Sequence, residues 1–437
     1  MTVPATTISP LLGLPGAVES EGIDTGIAAH YGNPMIEQRS LVAGRAIVDF
    51  SHRGVLSVSG PDRLTWLTSI ASQELKSLAA GESTEMLLLD PTGRLEYAIR
   101  VLDDGVETWL LVEAAELPGL QTFLDRMKFM LRVQVVDHTL AYATIGAMTD
   151  APASVGIVAA TPNGVPLTWL DPWAAVTRGG YQYAETPEHP GTRWTYTESL
   201  IPRASLAGLR ADLAAGALTV ALSSKAPASA SEPAGLERAA TVAPLESATV
   251  HATDSPAAAS AAPVKVTPAG LLALEALRIA AWRPRRAREV DEKSIPHELD
   301  WLRTAVHLNK GCYRGQETVA KVHNLGHPPR RLVMLHLDGS EGVLPAPGDS
   351  VGADRSRPEG EAERVTVGTI TSSAIHYELG PIALAVIKRT IPAASTLYVE
   401  SEAISISASQ EIIVPQSAGS VADIPRLPRL GVRTPGQ

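Results

Sequence analysis

The sequence predicts an α+β protein ending in a small antiparallel β-barrel or sandwich, and three patterns carry that prediction. Strand-like runs and three-and-four helical spacings interleave from Ala46 onward. Helical spacing resumes at Leu271 after a long stretch of Ala, Ser, Pro and Thr. Beyond Pro328-Pro329 the helical period gives way to short apolar runs separated by Gly and Pro.

Residues 1–28 mix Pro, Thr, Gly and Ala without a sustained period and read as a flexible tail. Val55, Leu56 and Val58 form a strand ahead of Gly60-Pro61-Asp62, where Pro61 suits the first turn of a helix burying Leu64 and Leu67. Met86 to Leu89, the turn Asp90-Pro91-Thr92-Gly93 and Leu95 to Leu102 make a hairpin, and Thr108 to Val112 add a strand. Leu117, Leu120, Leu124 and Met127 share one face of a helix spanning Glu116 to Met130. Val133, Val135 and Val136 return to strand character.

Residues 223–267 cannot bury enough apolar surface to offset their chain entropy, and are expected to be a disordered insertion within one core made of 29–222 plus 268–328. Arg331 to Leu337, Val365 to Thr371, Ile382 to Ile387 and Leu397 to Val399 are strands of a C-terminal unit over 329–414, and 415–437 reads as a Pro-rich tail.

The chain of 437 residues is 45% hydrophobic and carries a net charge of -10, which repels phosphate backbones and argues against general nucleic-acid binding, though a local basic patch could still bind an anion. Without a cationic leader or a long apolar run, it is expected in the cytoplasm and away from membranes. A single cysteine, Cys312, excludes an intramolecular disulfide.

That cysteine lies in Asn309-Lys310-Gly311-Cys312-Tyr313-Arg314-Gly315-Gln316-Glu317-Thr318. Flanking cations Lys310 and Arg314, with a helix expected to start just beyond, favour thiolate and hence nucleophilicity or affinity for soft metals. The alternative is a small buried hydrophobe. His297, His307, His323, His327 and His336 surround it in sequence, but no second cysteine completes a zinc set, and no bound metal is predicted. Arg283, Arg285, Arg286 and Arg288 could hold an anionic group, or compensate Glu289, Asp291 and Glu292 on a solvated surface.

Lys310 to Glu317 resembles the K-G-C-Y-x-G-Q-E signature of the YgfZ family, whose fold is similar to that of the glycine cleavage T-protein. Val58-Ser59-Gly60-Pro61-Asp62-Arg63 with Trp66-Leu67, the turn Leu89 to Arg94, and Ile295-Pro296-His297-Glu298 also look like family landmarks. The resemblance implies a folate-binding-type core of ferredoxin-like α/β units closed by a C-terminal antiparallel β-barrel. It implies a role in iron–sulfur cluster assembly or repair, alongside client or carrier proteins, with tetrahydrofolate as a proposed ligand. The functional residues are then Cys312, Lys310 and Arg314, within a motif that includes Gly311, Tyr313, Gly315, Gln316 and Glu317. Arg278, Trp282, Arg283 and Arg285 are the ligand-binding candidates.

Two places depart from T-proteins: Ala280 stands where a folate-holding glutamate is expected, with Trp282 at a usual glycine, and Tyr97-Ala98 replace paired aspartates. Strand alternation turns Glu96 to the other face. These departures argue against aminomethyl transfer and favour an accessory factor without classical turnover. A tetrahydrofolate-dependent one-carbon transferase is the second reading, and a scaffold in which the Cys312 loop only packs domains is the third.

Overall fold

The computed structural model describes residues 8–220, 263–340, 342–355 and 363–422. The early strand signals fold into a five-stranded antiparallel sheet in the order Ser83–Leu89, Leu95–Asp103, Glu107–Val112, Gly54–Ser59, Gln134–Asp137. A second five-stranded sheet runs Thr168–Leu170, Thr197–Pro202, Tyr142–Ala147, Ala46–Asp49, Thr267–Ala269, its last pair parallel. Among the described residues the α-helices are Pro34–Val42 (α1), Arg63–Ile70 (α2), Leu117–Met127 (α3), Leu206–Ala215 (α4), Leu271–Ala280 (α5), Arg286–Glu289 (α6) and Gln316–Leu325 (α7).

The C-terminal unit is a closed barrel of Arg330–Leu337, Gly380–Lys388, Glu363–His376, Ser350–Arg355, Leu397–Ser401 and Ile404–Ile412, the first strand pairing with the last. Closure leaves no unpaired strand edge. Ser350–Arg355 and Ile404–Ile412 were not foreseen; both mix polar residues into their runs and so lack a clear apolar signal. One cluster of buried side chains, including Phe50, Trp109, Trp173, Leu274, Trp301, Leu332 and Leu384, joins both sheets, α5 and the barrel.

Several boundaries need correction. Residues 8–28 are not a loose tail: Leu11 and Leu14 are buried against Ile47 and Leu209, Ser9 N–H donates to Gly26 O at 2.8 Å, and Asp24 is fully buried. Scattered Leu residues without a period gave no signal of this irregular packing. The expected insertion lies mostly outside the described residues, but Val264–Lys265 pair with Thr219–Val220, so order returns before residue 268. At the other end, Ala418 is buried and Val421 N–H donates to His323 O at 3.0 Å, which ties down the start of the expected C-terminal tail; residues 423–437 lie outside the described set. Helix α2 begins at Arg63, and Asp62 directs its carboxylate to Arg132 instead of capping. Helix α3 stops at Met127, three residues short of the expected Met130.

Asp24 is held by Arg285 Nη2 at 2.6 Å and by His52 Nε2 at 3.2 Å. Burial pushes this carboxyl up, but the His52 contact and the Arg285 charge outweigh it and keep Asp24 well below the usual carboxylate range. Asp24→Asn leaves a buried guanidinium short of charge and is expected to lower stability by about 3–5 kcal/mol, read as a denaturant-midpoint shift at unchanged slope.

Candidate functional site

The loop before α7 is fixed from both sides. Gly315 caps α7 at φ +84°, and a Cβ there would stand 2.7 Å from Asp90 O and 3.0 Å from Gly93 Cα. Gly93, at φ +83°, would meet Thr318 Cβ at 2.7 Å. Two turns distant in sequence thus touch backbone to backbone, which only glycines permit. Gly311 has no such constraint: a Cβ there meets nothing within 4 Å.

Lys310 Nζ donates to the carbonyls of Thr68, Ala71 and Gln73 at 2.5–2.9 Å, satisfying all three ammonium donors and closing the C-terminal end of α2. Burial pulls its pKa down to about 8. The same ammonium lies 4.9 Å from the ring centroid of buried Tyr313, and Gln316 Nε2 donates to Lys310 O at 3.2 Å. Arg314 pairs with Glu96 at 2.8 Å, so Glu96 on the outer strand face is engaged by the loop. Glu317 is exposed in the first turn of α7, where its charge suits the helix N-terminus. Cys312 itself is exposed, three positions ahead of the cap, and neither Lys310 nor Arg314 is bonded to its sulfur.

The arginine cluster lies elsewhere, inside the protein. Arg278 bonds Glu275 and Glu289, Arg283 bonds Glu85 and Asp171, and Arg285 bonds Asp24 and Glu113. These three guanidiniums are buried and committed to carboxylates of the chain, whereas Arg286 and Arg288 of the expected cluster are partly exposed and pair with Glu116 and Asp24. Burial alone raises Glu113, yet the Arg285 and Arg53 charges hold it well below its ordinary value. Asp171, beside Arg283 and Glu85, is pushed up by burial. The three arginines, with Glu85, Glu113, Asp171 and Glu275, line a cavity of about 50 Å³ together with Arg53, Arg100, Ala98 and Glu198. That volume holds a few waters, whereas ligand pockets of drug size need roughly 300–1,000 Å³. This interior space is smaller than such a pocket and is occupied by ion pairs of the chain. Asp24, His52 and Glu113 come close enough to share a cation, but the Arg285 guanidinium already supplies that charge.

Trp282 lines neither this cavity nor the groove beside it; it is buried at φ +59° just after α5, edge-on to His189 at 5.2 Å. The left-handed backbone there explains why glycine is the usual residue. His323 and His327 do not converge: His323 Nδ1 meets the Tyr183 hydroxyl at 2.9 Å and His327 Nδ1 meets Ala418 O at 2.8 Å.

Outside the interior, a groove of about 1070 Å³ runs between the Asp90–Arg94 turn, α3 and the segment Arg286–Glu292, with Arg314 in its wall. Tyr97, Phe123 and Met127 supply apolar surface. Glu116 is buried in the groove wall beside Arg286, whose Nη1 lies 2.5 Å away, although neither carboxylate oxygen has an aligned hydrogen bond. Burial pushes Glu116 up to about 7. The sequence offered only a weak sign of it, an acidic residue beside Leu117 at the start of an apolar helical face.

The chain has the fold of glycine cleavage T-proteins: the glycine cleavage system aminomethyltransferase T from Bartonella henselae superposes with a TM-score of 0.61 over 93% of this chain and 94% of that one, at 14% identity. No family model matches. A 115-residue stretch, 26% of this chain and 25% of the relative, is 34% identical to a putative chloroplastic transferase of Arabidopsis thaliana. Another of 109 residues, 22% of this chain and 27% of the relative, is 28% identical to the mitochondrial iron–sulfur cluster assembly factor IBA57 homolog of Mycosarcoma maydis. The chain spans about a quarter of the length of the curated relatives it matches. Among the described residues no helix is long and apolar enough to cross a membrane.

Two outcomes follow from this geometry. Gly315→Ala, sterically blocked and at positive φ, is expected to destabilise by more than about 2 kcal/mol and to raise Cys312 mobility, while Gly311→Ala leaves the thermal midpoint within a degree or so. Because the folded pKa of Glu116 lies above the unfolded value of 4.5, its contribution is fully present below pH 4.5 and lost as pH rises through 7. Glu116→Gln should therefore gain on wild type by up to about 3 kcal/mol between pH 4.5 and 8, measured by chemical denaturation at each pH.

Proposed function

We propose that the protein is a YgfZ-like accessory factor in iron–sulfur cluster assembly or repair, acting in the cytoplasm through Cys312 rather than through folate-dependent turnover. The observation that carries this reading is the exposed lone thiol on a loop held rigidly by Lys310 and by the Gly93–Gly315 contact. A solvent-facing sulfur that no described residue engages is available to a cluster, a carrier or a partner thiol. The partial similarity to an iron–sulfur cluster assembly factor homolog supports the same reading.

The second reading, a folate-dependent transferase, draws support from the fold. It meets an interior of about 50 Å³ filled by ion pairs, with Ala98 on its wall where a carboxylate would be needed.

Cells lacking the protein and complemented with Cys312→Ala are expected to show iron–sulfur enzyme activities near those of the uncomplemented cells under oxidative stress. Activities equal to wild-type complementation remove the proposal. Calorimetric titration with millimolar tetrahydrofolate is expected to give no binding heat; saturable heat would restore the transferase reading.

A further inference from the structure

At and just beyond the end of α3 the chain exposes four apolar side chains, interrupted only by Lys128: Met127 is 41% exposed, Phe129 87%, Met130 84% and Leu131 43%. The exposure is structured. Leu131 N–H closes a turn onto Lys128 O at 2.8 Å, and Phe129 holds φ +37°, a left-handed conformation costly for a bulky side chain. A soluble chain has little reason to hold contiguous apolar side chains out in water unless something covers them.

Two features say what the cover is. The first is continuity with the thiol loop. Met127 and Phe123 line the outer groove, whose far wall includes Arg314, and the Arg314 guanidinium lies 5.8 Å from the Phe123 ring centroid. A body seated on the turn and along this groove is brought to the segment that carries Cys312. The second is charge. On a chain of net charge -10, the end of α3 and its turn carry Arg126, Lys128 and Arg132 against Asp125. Lys128 pairs with Asp125 at 2.7 Å and Arg132 with Asp62 at 2.8 Å, while among the described residues Arg126 has neither a hydrogen bond nor an ion pair and the Arg94 guanidinium across the groove has none. Of the groove's acidic groups, Glu96, Glu116 and Asp291 are paired with arginines and Asp90 accepts within its own turn; Glu292, on the opposite wall, has no ion pair among the described residues.

We propose that the turn Lys128–Leu131 and the adjoining groove dock a partner protein whose surface presents an apolar pocket rimmed by carboxylates, delivering it to Cys312. This assignment rests on the reading of Cys312 given above. The apolar side chains supply contact area and the unpaired arginines supply orientation and salt sensitivity.

The test complements cells lacking the protein with Phe129→Ser/Met130→Ser, with Arg126→Glu and with Cys312→Ala. The double variant is expected to restore iron–sulfur enzyme activity no better than Cys312→Ala, and Arg126→Glu to restore it in part. The purified double variant should keep the wild-type thermal midpoint and the wild-type rate of Cys312 reaction with a small aromatic disulfide, since both replaced side chains are exposed. Full restoration by the double variant beside a failing Cys312→Ala overturns the docking surface and leaves the function standing; full restoration by Cys312→Ala overturns both. Co-sedimentation of wild-type protein with phosphatidylserine–phosphatidylcholine vesicles, lost in the double variant, would assign the turn to a membrane instead. A wild-type dimer that the double variant dissociates would assign it to a second copy of the chain.

Discussion

Arg285 ties together parts of the chain that share no neighbourhood in sequence. Its guanidinium bonds Asp24 from the N-terminal segment and Glu113 from the end of a central strand, and it lies 3.6 Å from Glu275 on α5. Its own backbone N–H donates to Glu289 at 2.7 Å, and Glu289 in turn accepts from Thr371 and Ser372 on the longest barrel strand. Arg278 repeats the pattern, donating to Glu289 and to Ser372. Such a network is worth no more in net stability than well-packed hydrocarbon of the same volume, yet loss of any one member leaves a buried charge without its counterion. Its effect is therefore to make the N-terminal segment, the first sheet, α5 and the barrel mutually dependent.

The same interactions decide what the interior can do. A scaffold shared with an aminomethyltransferase fixes the sheets and the barrel but not the contents of the space between them. Here the space holds Arg53 against Glu198, Arg283 against Glu85 and Asp171, and Arg285 against Asp24 and Glu113, which leaves a residual void fit for water. To admit a ligand of pterin size, several ion pairs would have to separate in a medium of low dielectric, at a cost of several kcal/mol each. The loop carrying Cys312 lies apart from this space and meets solvent.

Local signals in the sequence were strong where the structure is local. The Asp90–Gly93 turn, the strands on either side of it, α5 and the start of α7 at Gly315 all follow from residues within a few positions of one another. The ion network was illegible for the opposite reason: Arg285 and Asp24 are separated by 261 positions, and a run in which Arg and Glu alternate looks the same whether its charges face water or one another. A sign was present in Glu85, Glu113 and Glu198, acidic residues set in or against apolar strand runs where period-two alternation alone does not place them. Lys310 was illegible on similar grounds. Proximity in sequence to Cys312 implied an electrostatic role toward the sulfur, whereas its four-carbon stem carries the ammonium to the carbonyls at the end of α2. The exposed turn after α3 was hidden inside an apolar helical pattern, since Phe129 and Met130 continue that pattern in composition while leaving it in geometry.

An exposed thiol is indiscriminate by itself, because any oxidant or electrophile in solvent reaches it as easily as the intended partner. Selectivity then has to come from something other than access. The loop cannot supply it by closing over the sulfur: the Gly93–Gly315 contact and the three carbonyls around Lys310 hold it in one place. Rigidity has a compensating use, since a fixed sulfur can be aimed, and the ordering entropy of the loop is settled before any partner arrives. What remains is recognition at a distance, by a surface fixed in the same frame as the sulfur. The groove walled by Arg314 and by α3 as far as Met127, next to the exposed turn at Phe129, is fixed in that frame. Phe129 at that turn holds a left-handed backbone, costly for a bulky side chain, while its ring stays 87% exposed.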